Sequence, residues 1–237
     1  MKILKNILSI LIWVVVGLYL VIILTFSIPA VQEYLGRKAA GVLAEQLGTS
    51  VSIGRLDYGF LSHVTLYDVN VKDQEGLDML KAARLSTRID LLPLLQGKIS
   101  ISTAQLFSVH AKLRQKTADS KPNFQFVIDS LASKDTTSTS PLHLRINSLI
   151  MRHSSVSYDC MDAAETPGIL NPRHLAVTNL SSHIILKELS EDSLDINIKR
   201  LSFKEKSGLQ VNRLSMHFDA GRDGARLSDF KLQMPGS

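Results

Sequence analysis

Three carboxylates in one short stretch, Asp159, Asp162 and Glu165, are the strongest candidates in this 237-residue sequence for holding a divalent cation. They fall between Asp159 and Arg173, a segment with two prolines. Calcium loops place oxygen ligands at fixed alternate positions, and this stretch does not, so a solvated acidic loop is expected. Gln96-Gly97-Lys98-Ile99-Ser100 has the Gly-Lys pair of a phosphate-binding loop without its upstream glycine or a strand to aim it. The seven histidines are scattered, with no pair at helical ligand spacing. His110, His183 and His217 lie within or beside apolar alternation, where a hydrogen-bonded structural role is expected. No nucleophile elbow, His-Glu-x-x-His motif or dinucleotide fingerprint occurs. The single cysteine, Cys160, excludes an internal disulfide and any cysteine-rich metal site. These residues predict no enzyme, no metal and no cofactor.

The regular spacing belongs instead to apolar residues. Between Leu194 and Phe218, Ile198-Lys-Arg-Leu201-Ser-Phe203 is followed by Val211-Asn-Arg-Leu214-Ser-Met216, with strict alternation on either side. The pattern recurs from Ile53, Leu66, Ile146 and Leu227, and begins without finishing at Val177. Alternation with period two puts apolar side chains on one face of a strand. A step of three would swap faces in a regular strand, so a bulge or bend is needed to restore the side. Leu194–Phe218 reads as a strand with a built-in bend. The starts keep no constant interval, which excludes a fixed-period solenoid.

These strands must be positioned by what precedes and separates them. Residues 1–6 form a short tail, and residues 7–28 contain no charge, so a helix there would reach about 33 Å against a hydrocarbon core of about 30 Å. A cleaved signal, the alternative, has a shorter apolar region ending in a small-x-small site, which Ile28 and Ala30 do not supply. Lys2 and Lys5 on so short a tail place the N-terminus in the cytoplasm and the body outside it, in the periplasm of a bacterium. Residues 29–48 read as an amphipathic helix with Val31, Leu35, Val42, Leu43 and Leu47 at helical spacing, weakened by Gly36 and Gly41 and stopped by Gly48.

From residue 49 to 237 the chain alternates short strands with short turns, predicting a mainly β, antiparallel sheet. The exception is residues 122–140. Phe124, Val127, Ile128 and Leu131 form a helical stripe that would cover a sheet edge, and a Ser/Thr-rich linker follows. The net charge of +5 has no concentrated basic run, which gives no nucleic-acid footprint.

The order of these features resembles the amino-terminal region of the AsmA-like family, within it the TamB branch of Bacteroides-type bacteria. The resemblance rests on the anchor, the helix ending at Leu47-Gly48, Val51-Ser-Ile53-Gly-Arg-Leu56, Leu66-Tyr-Asp-Val69-Asn-Val71 and Ile89-Asp-Leu-Leu-Pro-Leu-Leu95-Gln-Gly97-Lys98-Ile99. It covers about the first 130 residues, and the helix from Asn123 to Leu131 is similar to that branch. The resemblance implies a long open sheet curled into a trough, anchored in the inner membrane, that conducts phospholipid toward the outer membrane. An alternative role is as adaptor for outer-membrane barrel assembly through strand-edge pairing. It also implies that the chain is the first part of a longer groove.

In a trough, Ile53, Leu66, Val69, Val71, Ile99, Ile101, Ile146, Met151, Ile196, Ile198, Phe203, Val211 and Phe218 would face acyl chains. In a closed domain the same residues would face a second layer of protein. Alternation is identical in the two cases, and both remain open.

Overall fold

A computed structural model describes residues 2–59, 63–89, 99–132, 142–189, 193–222 and 224–236. Its elements are α1 (Lys2–Phe26), α2 (Pro29–Leu47), β1 (Val51–Ser52), β2 (Arg55–Tyr58), β3 (His63–Lys72), β4 (Asp78–Ile89), β5 (Ile99–Gln115), α3 (Gln125–Ala132), β6 (Leu142–Cys160), β7 (His174–Leu189), β8 (Leu194–Glu205), β9 (Gln210–Gly221) and β10 (Gly224–Gln233). The expected turn Leu91–Leu95 with Gly97 and Lys98, and the linker at 133–140, lie outside the described residues.

The strands form one open ten-stranded sheet ordered β1-β3-β4-β5-β6-β7-β8-β9-β10, with β2 also paired to β3. This is the mainly β architecture that the alternation predicts. One pair departs from the antiparallel rule: β5 and β6 are parallel. After β5 the chain passes through α3 and must return to the starting end of the sheet, and a crossover of that length is what parallel neighbours require. Consequently α3 packs against α2 and the central strand β6 rather than over a sheet edge.

The twin motif is also placed differently. Leu194–Phe218 is not one bent strand but a hairpin, β8 and β9, turning at residues 206–209. Each strand carries one copy, and each copy carries its own irregularity: the β8–β9 register shifts between Ile198 and Leu201 and again before Phe203.

Elsewhere the three-residue step is met by single left-handed residues, which shift the register at His153, Asn179 and Asp229 but leave it in step at Asp68 and Ser108. Asp68, Ser108, His153, Asn179 and Asp229 all adopt φ of 51–54° inside strands. Each occupies the third position of an apolar-x-x-apolar or apolar-x-x-small step, as in Leu66-Tyr-Asp68-Val69 and Leu106-Phe-Ser108-Val109. A left-handed residue re-aims the next side chain, so Val69 returns to the face of Leu66. Asn, Asp and His tolerate this conformation best among residues with a Cβ. Ladder pairing skips Asp68 and Ala83 between β3 and β4, and Ala83 and Ser108 between β4 and β5. The irregularities therefore line up across neighbouring strands.

The helix α1 has a 22-residue apolar window, Lys5–Phe26, long enough to cross a membrane and not buried against the rest of the molecule. Pro29 opens α2, whose C-terminus is closed by Gly48 at φ 63°. Along its length α2 lies against β1 and β2. At its start, the Gln32 Nε2 donates to the Phe26 carbonyl at 3.1 Å and the Phe26 and Tyr58 rings stand 5.4 Å apart. At its end, the Thr49 hydroxyl donates to the Lys72 carbonyl at 2.9 Å. Ala40 joins Ile53, Val64, Leu66, Val69, Ala82, Val109 and Ala111 in the main buried cluster.

Candidate functional site

Strand register brings apolar residues of successive strands together on one face. Cross-strand partners share a face, and the pairing runs Leu56, Leu66, Leu85, Leu106, Met151, Ser182, Leu201, Leu214, Leu232 from β2 to β10. A parallel row holds Val64, Thr87, Ala104, Leu149, Ile184, Ile198 and Met216. At about 4.8 Å per inter-strand step, the first row, with eight steps, is about 38 Å long and the second, with six, about 29 Å.

Cover is uneven along this face. Ile53, Leu66 and Val69 are buried, and Val71 packs against them, so these four belong to a core closed by α2. Met151, Ile196, Ile198, Phe203 and Phe218 are half-buried on the part beyond α2. Val211 is buried beside Phe203, its partner in register. Exposure rises at the last strand, to 54% at Leu227 and Phe230. The backbones of Ile99, Ile101 and Ile146 lie in β5 and β6, and their side chains are outside the described ones. The ten candidates with described side chains thus divide into four under α2 and six beyond it.

Several members of the rows carry no signal in the sequence motif. Thr87 and Ser182 are buried polar residues within these rows, and Ser154 is a buried polar residue beside Val109. The Thr87 hydroxyl donates to the Thr103 carbonyl at 2.7 Å. Ser154 Oγ accepts from the Val109 amide at 3.3 Å and donates to the Arg152 carbonyl at 3.1 Å, which satisfies backbone groups displaced by the bulge at His153. Ser182 Oγ is buried with no hydrogen-bond partner.

Two buried carboxylates close the rows at the end of the sheet away from α1. Asp73 Oδ1 accepts from the amides of Glu75 (3.1 Å) and Leu77 (2.9 Å), and Oδ2 from Arg114 (2.7 Å) and Asn123 (3.1 Å). Burial pushes its carboxyl up, but the Asn123 amide, the two backbone amides and Arg114 outweigh this and hold it below the usual carboxylate range. Glu205 takes amides from Ala176 (3.1 Å) and Ser207 (2.6 Å). Hydrogen bonding from Ser207 lowers its pKa against the opposing effect of burial. Both act as turn-forming structural groups, with all their donors supplied by the protein.

The acidic loop does not assemble. Asp159 pairs with His174, while Asp162 accepts from Cys160 Sγ at 3.0 Å and from the Ala118 amide at 3.2 Å. The bond to Asp162 pushes the Cys160 thiol up and so keeps it from being a reactive thiolate. Among the described residues no group of three or more His, Cys, Asp or Glu side chains could hold a metal ion. His110 bonds Ser155 at 2.7 Å and His217 bonds Asp195 at 2.8 Å, both on the polar face.

What this arrangement offers chemically is a long apolar surface with a few buried polar breaks. Against known proteins, no family model matches the chain and no curated protein matches it by sequence.

Proposed function

We propose that the uncovered part of the apolar face shields phospholipid acyl chains, that α1 anchors it in the inner membrane, and that lipid moves along the rows toward the outer membrane. The observation that carries this reading is the continuous cross-strand row from Leu56 to Leu232, interrupted by one polar residue, Ser182, whose far half has, among the described residues, no helix packed on it comparable to α2. Each buried methylene stabilises by about 0.8 kcal/mol, so a sixteen-carbon chain gains on the order of ten kcal/mol by staying out of water. Few polar groups interrupt the rows, and sliding along them costs little. The resemblance to AsmA-like proteins supports the same reading, with the body in the periplasm. No catalytic step is required.

The test is photo-crosslinking in membranes with the full chain. A photoreactive residue at Ile198 or Met216 is expected to give lipid adducts, while one at Lys199, on the polar face, gives none. Equal labelling of the two faces, or no lipid adduct from either apolar position, overturns the proposal.

A second reading, an adaptor for outer-membrane barrel assembly, draws on β10. This edge strand is exposed along nearly all of its ten residues, and β-augmentation is the mode it would serve. Protein rather than lipid crosslinks from Arg226 or Lys231 would favour it.

A further inference from the structure

On the face opposite the apolar rows, cross-strand register assembles Arg55, Tyr67, Arg84, Phe107 and Arg152 into one line across β2, β3, β4, β5 and β6. The guanidinium carbon of Arg55 sits 4.2 Å from the Tyr67 ring centroid. Phe107 lies between two arginines, with Arg84 at 3.9 Å and Arg152 at 5.9 Å. Arg55 and Arg152 are exposed and Arg84 is half-buried. Among the described residues, none of the three pairs with a carboxylate, whereas Arg114, Lys81, Lys116 and Lys187 all do.

Stacking on a ring fixes a guanidinium in place; the Arg84 Nε is buried without a hydrogen-bond partner, while Arg55 and Arg152 are open to solvent. The arginines occupy alternate strands, so they recur about every 9.6 Å along a straight line. A helix brings residues seven apart back to one side with a rise of about 10.5 Å, close to that interval. An extended strand does not, because its same-side residues recur at roughly 6.7 or 13 Å. We infer that this line is a docking surface for an acidic α-helix of a partner protein, carrying carboxylates at seven-residue spacing and lying across the strands.

Single-stranded nucleic acid fits less well. Its binding sites on sheets use open ring faces for base stacking, and here guanidinium groups cover those faces. A membrane surface fits less well because Tyr67 is in the middle of β3, away from the Tyr58 end where α1 joins. The inference concerns the face opposite the proposed lipid surface, and either can fail without the other.

The experiment uses the full chain in detergent micelles and fluorescence anisotropy of a labelled amphipathic helix bearing three glutamates seven residues apart. This peptide is expected to bind more tightly than one of the same composition with its glutamates clustered. The triple variant R55Q/R84Q/R152Q is expected to bind about tenfold more weakly at an unchanged melting temperature, with Lys at the same positions restoring part of the affinity. If the triple variant does not fold, R152Q alone, at the exposed end of the line, is expected to weaken binding by roughly threefold. Equal binding of the clustered peptide, unchanged binding by the variant that folds, or equal competition by an oligonucleotide or by anionic vesicles at matched charge would overturn the inference.

Discussion

Asn179 is the plainest case of a single residue carrying a fold requirement. At φ 51° inside β7, it occupies a region where a β-branched side chain is strained by about 1–2 kcal/mol. Asn179→Val is therefore expected to destabilise by that amount in chemical denaturation, while Asn179→Gly stays near the parent. Equal effects of the two would mean that the bulge is not a constraint. Asp73 gives a second test at this scale. Its folded pKa is depressed, so its contribution is fully present above the unfolded value near 3.9 and is lost as pH falls through the folded one. Asp73→Asn is expected to lose roughly 2–3 kcal/mol at neutral pH, since Arg114 and Asn123 each lose a charged acceptor. The gap between parent and variant should narrow below about pH 4.

At the scale of elements, α2 is held close by one position. A Cβ at Gly36 would stand 3.1 Å from the Arg55 Cα and 3.3 Å from the Ile53 carbonyl oxygen, against backbone that cannot rotate away. Gly36→Ala is expected to destabilise by about 1–3 kcal/mol through overpacking. Gly41, in the same helix with nothing within 4 Å, should instead gain up to about 1 kcal/mol on substitution by Ala. Thermal melts of the two variants that shift the same way would rule out this packing. Hairpins repeat as elements too. Lys72-Asp-Gln-Glu-Gly76-Leu77 and Lys204-Glu-Lys-Ser-Gly208-Leu209 both end in a glycine at positive φ and close with the same pair of backbone bonds. Three-residue hairpin loops need a left-handed third residue, which explains the shared glycine.

For the whole molecule, the same apolar face is core at one end and surface at the other. Val69 is 5% exposed under α2, so Val69→Asp buries an unpaired carboxylate and is expected to unfold the chain. Ile198→Asp lies on the uncovered part and is expected to leave the melting temperature within a few degrees while sharply reducing co-purified phospholipid, measured by mass spectrometry of extracts. Unfolding by both substitutions would identify the far end as closed core.

Local spacing along the chain determines the charge-free helix, the α2 boundaries at Pro29 and Gly48, the strand type and the need for a bulge or bend at each three-residue step. Those are nearest-neighbour properties of helices and strands. The tertiary structure decides what depends on pairing between distant segments. It makes β5 and β6 parallel, divides Leu194–Phe218 into two strands, and separates Ile53 and Val69 from Ile198 and Phe218 by cover rather than by pattern. It also sets Arg55, Arg84 and Arg152, which are far apart in sequence and unremarkable in composition, into one line. The physical reason is that alternation assigns a side chain to a face, whereas only register and packing assign its neighbours.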